Sequence, residues 1–514
     1  KKNTALYTPC FHFVDFSAKK QYCSRMIYGK FRQYEVIPGL IVWATLSTAV
    51  VLSFVAPVVA IAFIIVFDLY WMYRVLYFII YVLRAWRQFA RVKKTDWLPK
   101  LKREVHDWDS YYHVVFLPMV KEPLRIVDAT IRKISESHFP NERLIIVLAG
   151  EARVHEHFAS VSRLIKRKYG KTFADLIMTE HPGDLLDEIP GKGSNLHYAG
   201  PIVEARLRER HIPFERVIAS AFDVDTIVHP DYFAYLTHTY ATVPNPTRAS
   251  YQPVVVYNNN IWASPSWVRI SAFGTTFWLF GELARPERMW TFSSHSMPFQ
   301  MLADVGYWEK DIVSEDSRIF LQGVRRYKGD YRVEPLYLPV SMDAVTGRRV
   351  WDSMKALYKQ QRRWAWGVEH FPYLLANVVP DRSIPFGVRW RLVWNHVEGM
   401  FTWATAPVLI FILGWLPMRL AQNHPNVLVH NAPFTLKALM TVAALGIIFS
   451  GIVSLSLLPR RPQRVSKWNW LVMIGQWVLL PVTFIVFGAF PSIDAQTRMM
   501  FGRYLGFNVT KKER

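Results

Sequence analysis

Apolar positions in this chain are gathered at its two ends, with an alternating pattern between them. Residues 36 to 67 carry no charged side chain, and Trp71 to Leu83 extend the run. That is too long for one membrane span of about 20 residues and suits two. Pro57 sits near the middle as a corner, which predicts one helix over 37–55 and another over 58–82. Three further apolar segments follow, near 400–418, 438–459 and 468–490.

The central region reads differently. Tyr111–Leu117, Leu144–Leu148 and Arg216–Phe222 are short runs rich in β-branched or other apolar residues, while Leu124–Ser135 and Ala159–Lys168 carry helical periodicity. Alternation of this kind predicts an α/β domain on a largely parallel sheet, with ligands off the carboxyl ends of its strands. Residues 350–399 mix Arg and Trp with apolar positions (Trp364, Trp366, Phe371, Trp390, Trp394). They read as helices lying along a membrane surface or packed on the domain.

The expected layout is an N-terminal arm (1–35), two spans (36–84), an α/β domain (105–349), interfacial helices (350–399), about three spans (400–493) and a tail (494–514). Residues 1–35 show no short apolar core followed by a small-residue cleavage site, so no secretory signal is expected within them.

Charge orients this layout. The net charge is +22 over 514 residues, and much of it flanks the apolar runs, at Arg84–Arg103 and Arg460–Lys467. Basic flanks stay cytoplasmic, which places the α/β domain in the cytosol of a multi-pass protein, expected in the cell membrane. No zinc-finger, RNA-recognition or helix-turn-helix pattern is present, so nucleic acid is not an expected partner. Two cysteines, Cys10 and Cys23, are too few for a disulfide framework and read as free thiols.

Three short motifs carry candidate chemistry. Asp223-Val224-Asp225 follows an apolar strand, where two carboxylates two residues apart can share a divalent cation with a diphosphate; the same string is common in turns. Ser314-Glu315-Asp316 opens a predicted helix, as an N-cap with acidic first-turn residues or as the seat of a general base. Gln360-x-x-Arg363-Trp364 lies in a run of helix formers that puts Gln360 and Arg363 on one face; the arginine suits phosphate and the tryptophan offers a stacking surface.

In order and spacing these motifs resemble the processive members of glycosyltransferase family 2, the cellulose, chitin and hyaluronan synthases. Asp223 and Asp225 match that group's Asp-x-Asp, Asp316 its Thr-Glu-Asp, and Gln360, Arg363 and Trp364 its Gln-x-x-Arg-Trp. Pro118 and Glu122 resemble the turn after its first strand. Gly191-Lys192-Gly193-Ser194-Asn195-Leu196 resembles its Lys-x-x-Ala-Leu-Asn stretch, and Phe507, Val509, Thr510 and Lys512 its Phe-x-Val-Thr-x-Lys gating loop. One departure stands out: where the family has Asp-Asp-Gly-Ser this chain has Ala149-Gly150-Glu151-Ala152, leaving Glu151 as the substitute for a base-recognising aspartate.

The resemblance implies a GT-A-type, Rossmann-like domain flanked by transmembrane helices. It implies inverting transfer from a UDP-sugar to a growing polysaccharide with Mg or Mn as cofactor. Asp223 then contacts the nucleotide, Asp225 the metal, and Asp316 deprotonates the acceptor. Gln360, Arg363 and Trp364 hold the acceptor end and the diphosphate, which Lys192 helps to neutralise. Two other readings of the same sequence are transfer of one sugar to a lipid carrier and a non-catalytic scaffold or export partner. Two spans before the domain and three after it would put the gating-loop residues on the wrong side of the bilayer, with Pro481 and the stretch Trp390–Leu420 as the suspect segments.

Overall fold

In the computed structural model, which describes residues 31–185, 187–422 and 426–506, the central alternation becomes one eight-stranded sheet. The strands are β1 (Tyr112–Pro118), β2 (Leu144–Glu151), β3 (Asp175–His181), β4 (Val217–Ala221), β5 (Ile227–Val228), β6 (Ala249–Val256), β7 (His295–Pro298) and β8 (Arg332–Ser341). Their order is β3-β2-β1-β4-β7-β6-β8-β5. The expected α/β class holds. The half containing β3, β2, β1 and β4 is wholly parallel. Beyond it β7 runs antiparallel to both β4 and β6, so the sheet is mixed rather than largely parallel. The antiparallel strand is short, and its sequence, His-Ser-Met-Pro, carries no apolar run to announce it.

Central strands are covered on both faces, and their side chains show it. Val114 to Leu117 and Leu144 to Ala149 are fully buried, as expected for parallel strands flanked by helices. The predicted helix Leu124–Ser135 forms as expected, and Ala159–Lys168 lies within a helix over His155–Tyr169.

At the N-terminal end the apolar run forms helices Arg32–Val55 and Pro57–Lys93, with Pro57 at the first position of the second. Proline's missing N–H costs nothing there. The second helix runs 37 residues, eleven past its expected end. Its basic last turns are amphipathic, and Val82, Ala85, Phe89 and Val92 are buried in the core of the α/β domain. Among the described residues four helices are long and apolar enough to cross a membrane, or up to five with a bent pair. The bent pair is Phe386–Phe411 with Leu413–Leu420, kinked by 44°. It coincides with the suspect stretch Trp390–Leu420.

Not all of 350–399 faces a membrane. Trp366 and Phe371 are buried in protein, whereas Trp390 and Trp394 are more than half exposed and stack on each other. Cys10, Cys23, and Phe507, Val509, Thr510 and Lys512 of the tail lie outside the described residues.

Candidate active site

The carboxyl edge of the parallel strands collects the candidate residues. Pro118 ends β1, Glu151 ends β2, and Asp223 follows β4 by two residues. The turn after β4 is held from three sides. Phe222 donates its N–H to the carbonyl of Phe116 at 3.0 Å, and Thr226 donates to that of Asp223 at 2.9 Å. Thr130, on Leu124–Ser135, donates its hydroxyl to the carbonyl of Val224 at 2.7 Å.

Within this frame the Asp-x-Asp pair splits. Asp225 is fully buried and accepts from the backbone N–H of Asp343 at 3.0 Å. Asn259 donates to Asp343 Oδ1 at 2.9 Å and to the carbonyl of Asp225 at 3.3 Å. Asp223 is a quarter exposed and accepts from Ser293 Oγ at 2.9 Å.

Lys192 is the centre of the site. It starts the helix Lys192–Glu209, and its ammonium lies 2.9 Å from Asp223 Oδ1, 2.7 Å from Asp316 Oδ1 and 3.7 Å from Glu315 Oε1. Burial alone would lower its pKa, but the three carboxylates outweigh burial and raise it above the ordinary lysine value. Gly193 allows the approach: a Cβ there would stand 2.8 Å from the carbonyl of Glu309 and 3.1 Å from Glu315 Cβ.

Glu315 and Asp316 open the helix Glu315–Arg326. Ser314 takes the N-cap position without a capping hydrogen bond from its side chain, and the two acidic residues of the first turn face Lys192. Glu315 is buried, and that burial, reinforced by Asp316 and opposed by Lys192, pushes its pKa up to about 8. Thr291 donates to the carbonyl of Asp316 at 2.6 Å. Glu369 accepts from the N–H groups of Val313 at 3.2 Å and Ser314 at 2.9 Å, and from Trp366 Nε1 at 3.0 Å. Glu369 thus ties the start of the carboxylate-bearing helix to the segment after Gln-x-x-Arg-Trp.

That motif lies on the helix Val350–Ala365. Trp364 packs against Tyr257, ring centroids 5.8 Å apart. Tyr257 is half-buried, and desolvation followed by the charges of Asp223 and Asp225 raises its pKa, with Arg363 opposing. Arg363 also acts electrostatically on Glu315, so it belongs to the same cluster. Gln360 is half-buried, while its neighbour Gln361 is buried and donates to Ser271 Oγ at 2.9 Å.

Other candidates stand apart. Glu151 is buried at the end of β2 and paired with Arg153. Glu122 closes its own turn, accepting from Val120 N at 2.7 Å. Trp308 is fully buried against Phe116. His295 is buried; its Nδ1 lies 2.7 Å from the carbonyl of Phe292, and burial, opposed by nearby Asp316 and aided by Lys192, lowers its pKa to about 4. Sequence reading missed Asn259, Thr291, Ser293, Asp343 and Glu369. Each acts through a hydrogen bond to a residue distant in the chain, and only the hydroxyl run 291–296 and the Asn-Asn-Asn at 258–260 hinted at them.

The carboxyl edge of the α/β sheet thus brings together a lysine and three carboxylates, with Arg363 and Trp364 on the neighbouring helix. The family model described as "Glycosyl transferase family group 2" matches residues 221–487, just over half of the chain, and the chain belongs to that family. It is a glycosyltransferase with an α/β domain.

No curated protein matches the chain in sequence. Among solved structures it resembles the mannosyltransferase PcManGT from Pyrobaculum calidifontis in complex with GDP-Man and Mn2+. The identity is 15%, covering 77% of this chain and 99% of that one, with a TM-score of 0.44. It also resembles S. aureus TarS 1-349 in complex with UDP-GlcNAc at 12% identity, covering 65% and 90%, with a TM-score of 0.35. Likenesses this distant do not bear on the choice of substrate.

Proposed function

We propose that this glycosyltransferase moves a sugar from a UDP-sugar to the end of a growing polysaccharide, with inversion at the anomeric carbon, and passes the product along its membrane helices. The observation that carries this reading is the convergence of Lys192, Asp223 and Asp316 within hydrogen-bond distance, beside Arg363 and Trp364.

Each residue then has a task. Asp316 takes the proton of the acceptor hydroxyl as its oxygen bonds to the anomeric carbon, whose bond to the diphosphate breaks. Lys192 and Arg363 bear on the departing negative charge. Trp364 supports the acceptor ring by stacking, with Gln360 and Arg363 beside it on one helix. Pro118, Glu122 and Glu151, set apart from Lys192 at the ends of β1 and β2, are given the nucleoside end by the family resemblance alone.

Asp223 and Asp225 offer only oxygen donors, which suits Mg or Mn. Among the described residues no group of three or more His, Cys, Asp or Glu is placed to hold a metal alone. Such a pair fits a hard cation whose other ligands are phosphate and water. When bound, that cation supplies charge to the leaving diphosphate.

The reading also assigns the bilayer. Helices Arg32–Val55, Pro57–Lys93, the bent pair and Val427–Ser456 form two out-and-back crossings. Ile61, near the start of the second helix, clusters with Ala421 and Ala432 at the far side. The segment Asn469–Met500 begins against the α/β domain, where Trp470 meets Trp262 and Gln476 accepts from Arg269 at 2.8 Å. It ends on the same side, where Asp494 accepts from Arg362 at 2.8 Å and Arg32 donates to the carbonyl of Met499 at 2.7 Å. It therefore lies under the domain instead of crossing. Four crossings put Gly506 on the cytosolic side.

The test is incubation of the purified protein with a panel of UDP-sugars and MgCl2 or MnCl2, followed by mass analysis of the product. A polymer is expected. No turnover across the panel overturns the donor assignment, and a single-sugar glycolipid overturns the polymerising one.

A further inference from the structure

We infer that the loop between Ser456 and Asn469 is a binding surface for anionic phospholipid headgroups, with Arg460, Arg464 and Lys467 as the cations and Trp468 seated in the bilayer interface. The inference rests on the bilayer placement above and not on the choice of donor or product.

The charge pattern is one-sided. Arg460, Arg461, Arg464 and Lys467 put four cations into eight positions, and no aspartate or glutamate occurs between Glu398 and Asp494. The loop therefore has no acidic neighbour along the chain. Arg461 turns inward and donates to the carbonyl of Val465. Arg460, Arg464 and Lys467 are exposed.

These charges are also fixed in place. Trp262, on the α/β domain, donates its indole N–H to the carbonyl of Pro459 at 3.0 Å and meets Trp470 edge-on, ring centroids 5.2 Å apart. Between those two anchors Val465 packs against the core of the domain. The loop is thus a held surface with its basic side chains turned outward.

Apolar faces bracket it on both sides. Ile448 and Ile452, in the last turns of the helix Val427–Ser456, are exposed, as are Leu471, Val472 and Val478 beyond the loop. Trp468 is 76% exposed. Acyl chains satisfy such faces, so the loop lies where chains end and headgroups begin. At that depth an amphipathic tryptophan ring anchors and clustered Lys and Arg attract anionic lipid. The flanking apolar surface selects a ligand with acyl chains over a soluble phosphate. The loop keeps this position whether Asn469–Met500 lies beneath the domain or crosses, because Val427–Ser456 delivers it to the domain side in either case.

The experiment assembles the full chain into nanodiscs of equal phosphatidylcholine and phosphatidylglycerol and counts the lipids that stay with the protein by native mass spectrometry. Wild type should retain phosphatidylglycerol in excess. The triple variant Arg460→Gln, Arg464→Gln, Lys467→Gln should lower that excess by about fivefold or more, the scale of losing one or more charges at a membrane surface. Arg163→Gln, Lys166→Gln, Arg167→Gln removes the same charge from exposed positions of the helix His155–Tyr169 and should leave the excess unchanged. Arg464→Glu alone, a single exposed substitution, should lower it even if the first triple variant does not fold. A loop that only marks the domain side of the bilayer predicts that the two triple variants behave alike. Equal retention of both lipids by wild type, or an undiminished excess in the folded loop variant or in Arg464→Glu, overturns the surface alone. A wild type that keeps neither lipid overturns the bilayer placement and the surface with it.

Discussion

The carboxylate of Asp225 accepts a hydrogen bond from the backbone N–H of Asp343 at 3.0 Å, across 118 positions of sequence. This bond fixes one aspartate of the Asp-x-Asp pair from the far end of the sheet, while Asp223 two residues away answers to Lys192 and Ser293. The two carboxylates are thus held separately, one rigid and one able to exchange partners.

Asp225→Asn tests the rigid one. The amide oxygen still accepts from Asp343, so the fold should keep its melting temperature, but a cation contact is lost. Sugar transfer should fall by about a hundredfold or more, the usual scale for one electrostatic stabiliser. A variant with wild-type turnover at saturating MnCl2 would remove Asp225 from the metal site.

Glu315 gives a pH dependence with a definite sign. Its carboxyl is raised from 4.5 to about 8 by burial, with Asp316 adding to the shift. The folded protein holds this proton more tightly than the unfolded chain. The stability it contributes is full below about pH 4.5 and is lost as pH rises through about 8. Melting temperature should therefore decline between pH 6 and 9, and Glu315→Gln, which cannot ionise, should flatten that decline. An unchanged slope in the variant would count against a raised Glu315.

Much of this was readable from the chain, because the informative signals were local. Runs such as Leu144–Leu148 declare buried strands, and Pro57 declares a corner. Asp223, Asp316 and Arg363 were legible only by spacing, since each motif alone has an ordinary structural explanation. What escaped was non-local. The antiparallel β7 has no periodicity of its own; its place is set by pairing to β4 and β6. Glu369 looked like one more acidic residue in a mixed segment, and its value comes from two N–H groups more than 50 positions away. Hydropathy counts Asn469–Met500 as a span; its proposed place beneath the domain rests instead on side-chain contacts near both its ends, which are non-local.

Glu369→Ala tests that non-local link. Removing the carboxylate leaves the N–H groups of Val313 and Ser314 and the Trp366 indole without their acceptor. A buried donor stripped of its partner costs about 1–3 kcal/mol, so a clear drop in melting temperature is expected. Transfer should fall further than stability explains, because the helix carrying Asp316 loses its tie to Trp364. Activity falling only in step with folded protein would reduce Glu369 to a structural role.

Four crossings make a prediction that five do not. With Cys10 and Cys23 replaced by serine, single cysteines can be placed by Asp184→Cys in the α/β domain, Gln422→Cys beyond the bent pair, and Gly506→Cys before the tail. In sealed vesicles of known orientation, an impermeant maleimide should label the Asp184 and Gly506 positions from one side and the Gln422 position only from the other. The reason is the proximity of Arg32 to Met499 and of Arg362 to Asp494, which keeps the end of the last helix beside the start of the first. Labelling of the Gly506 position together with Gln422 would mean that Asn469–Met500 crosses the bilayer.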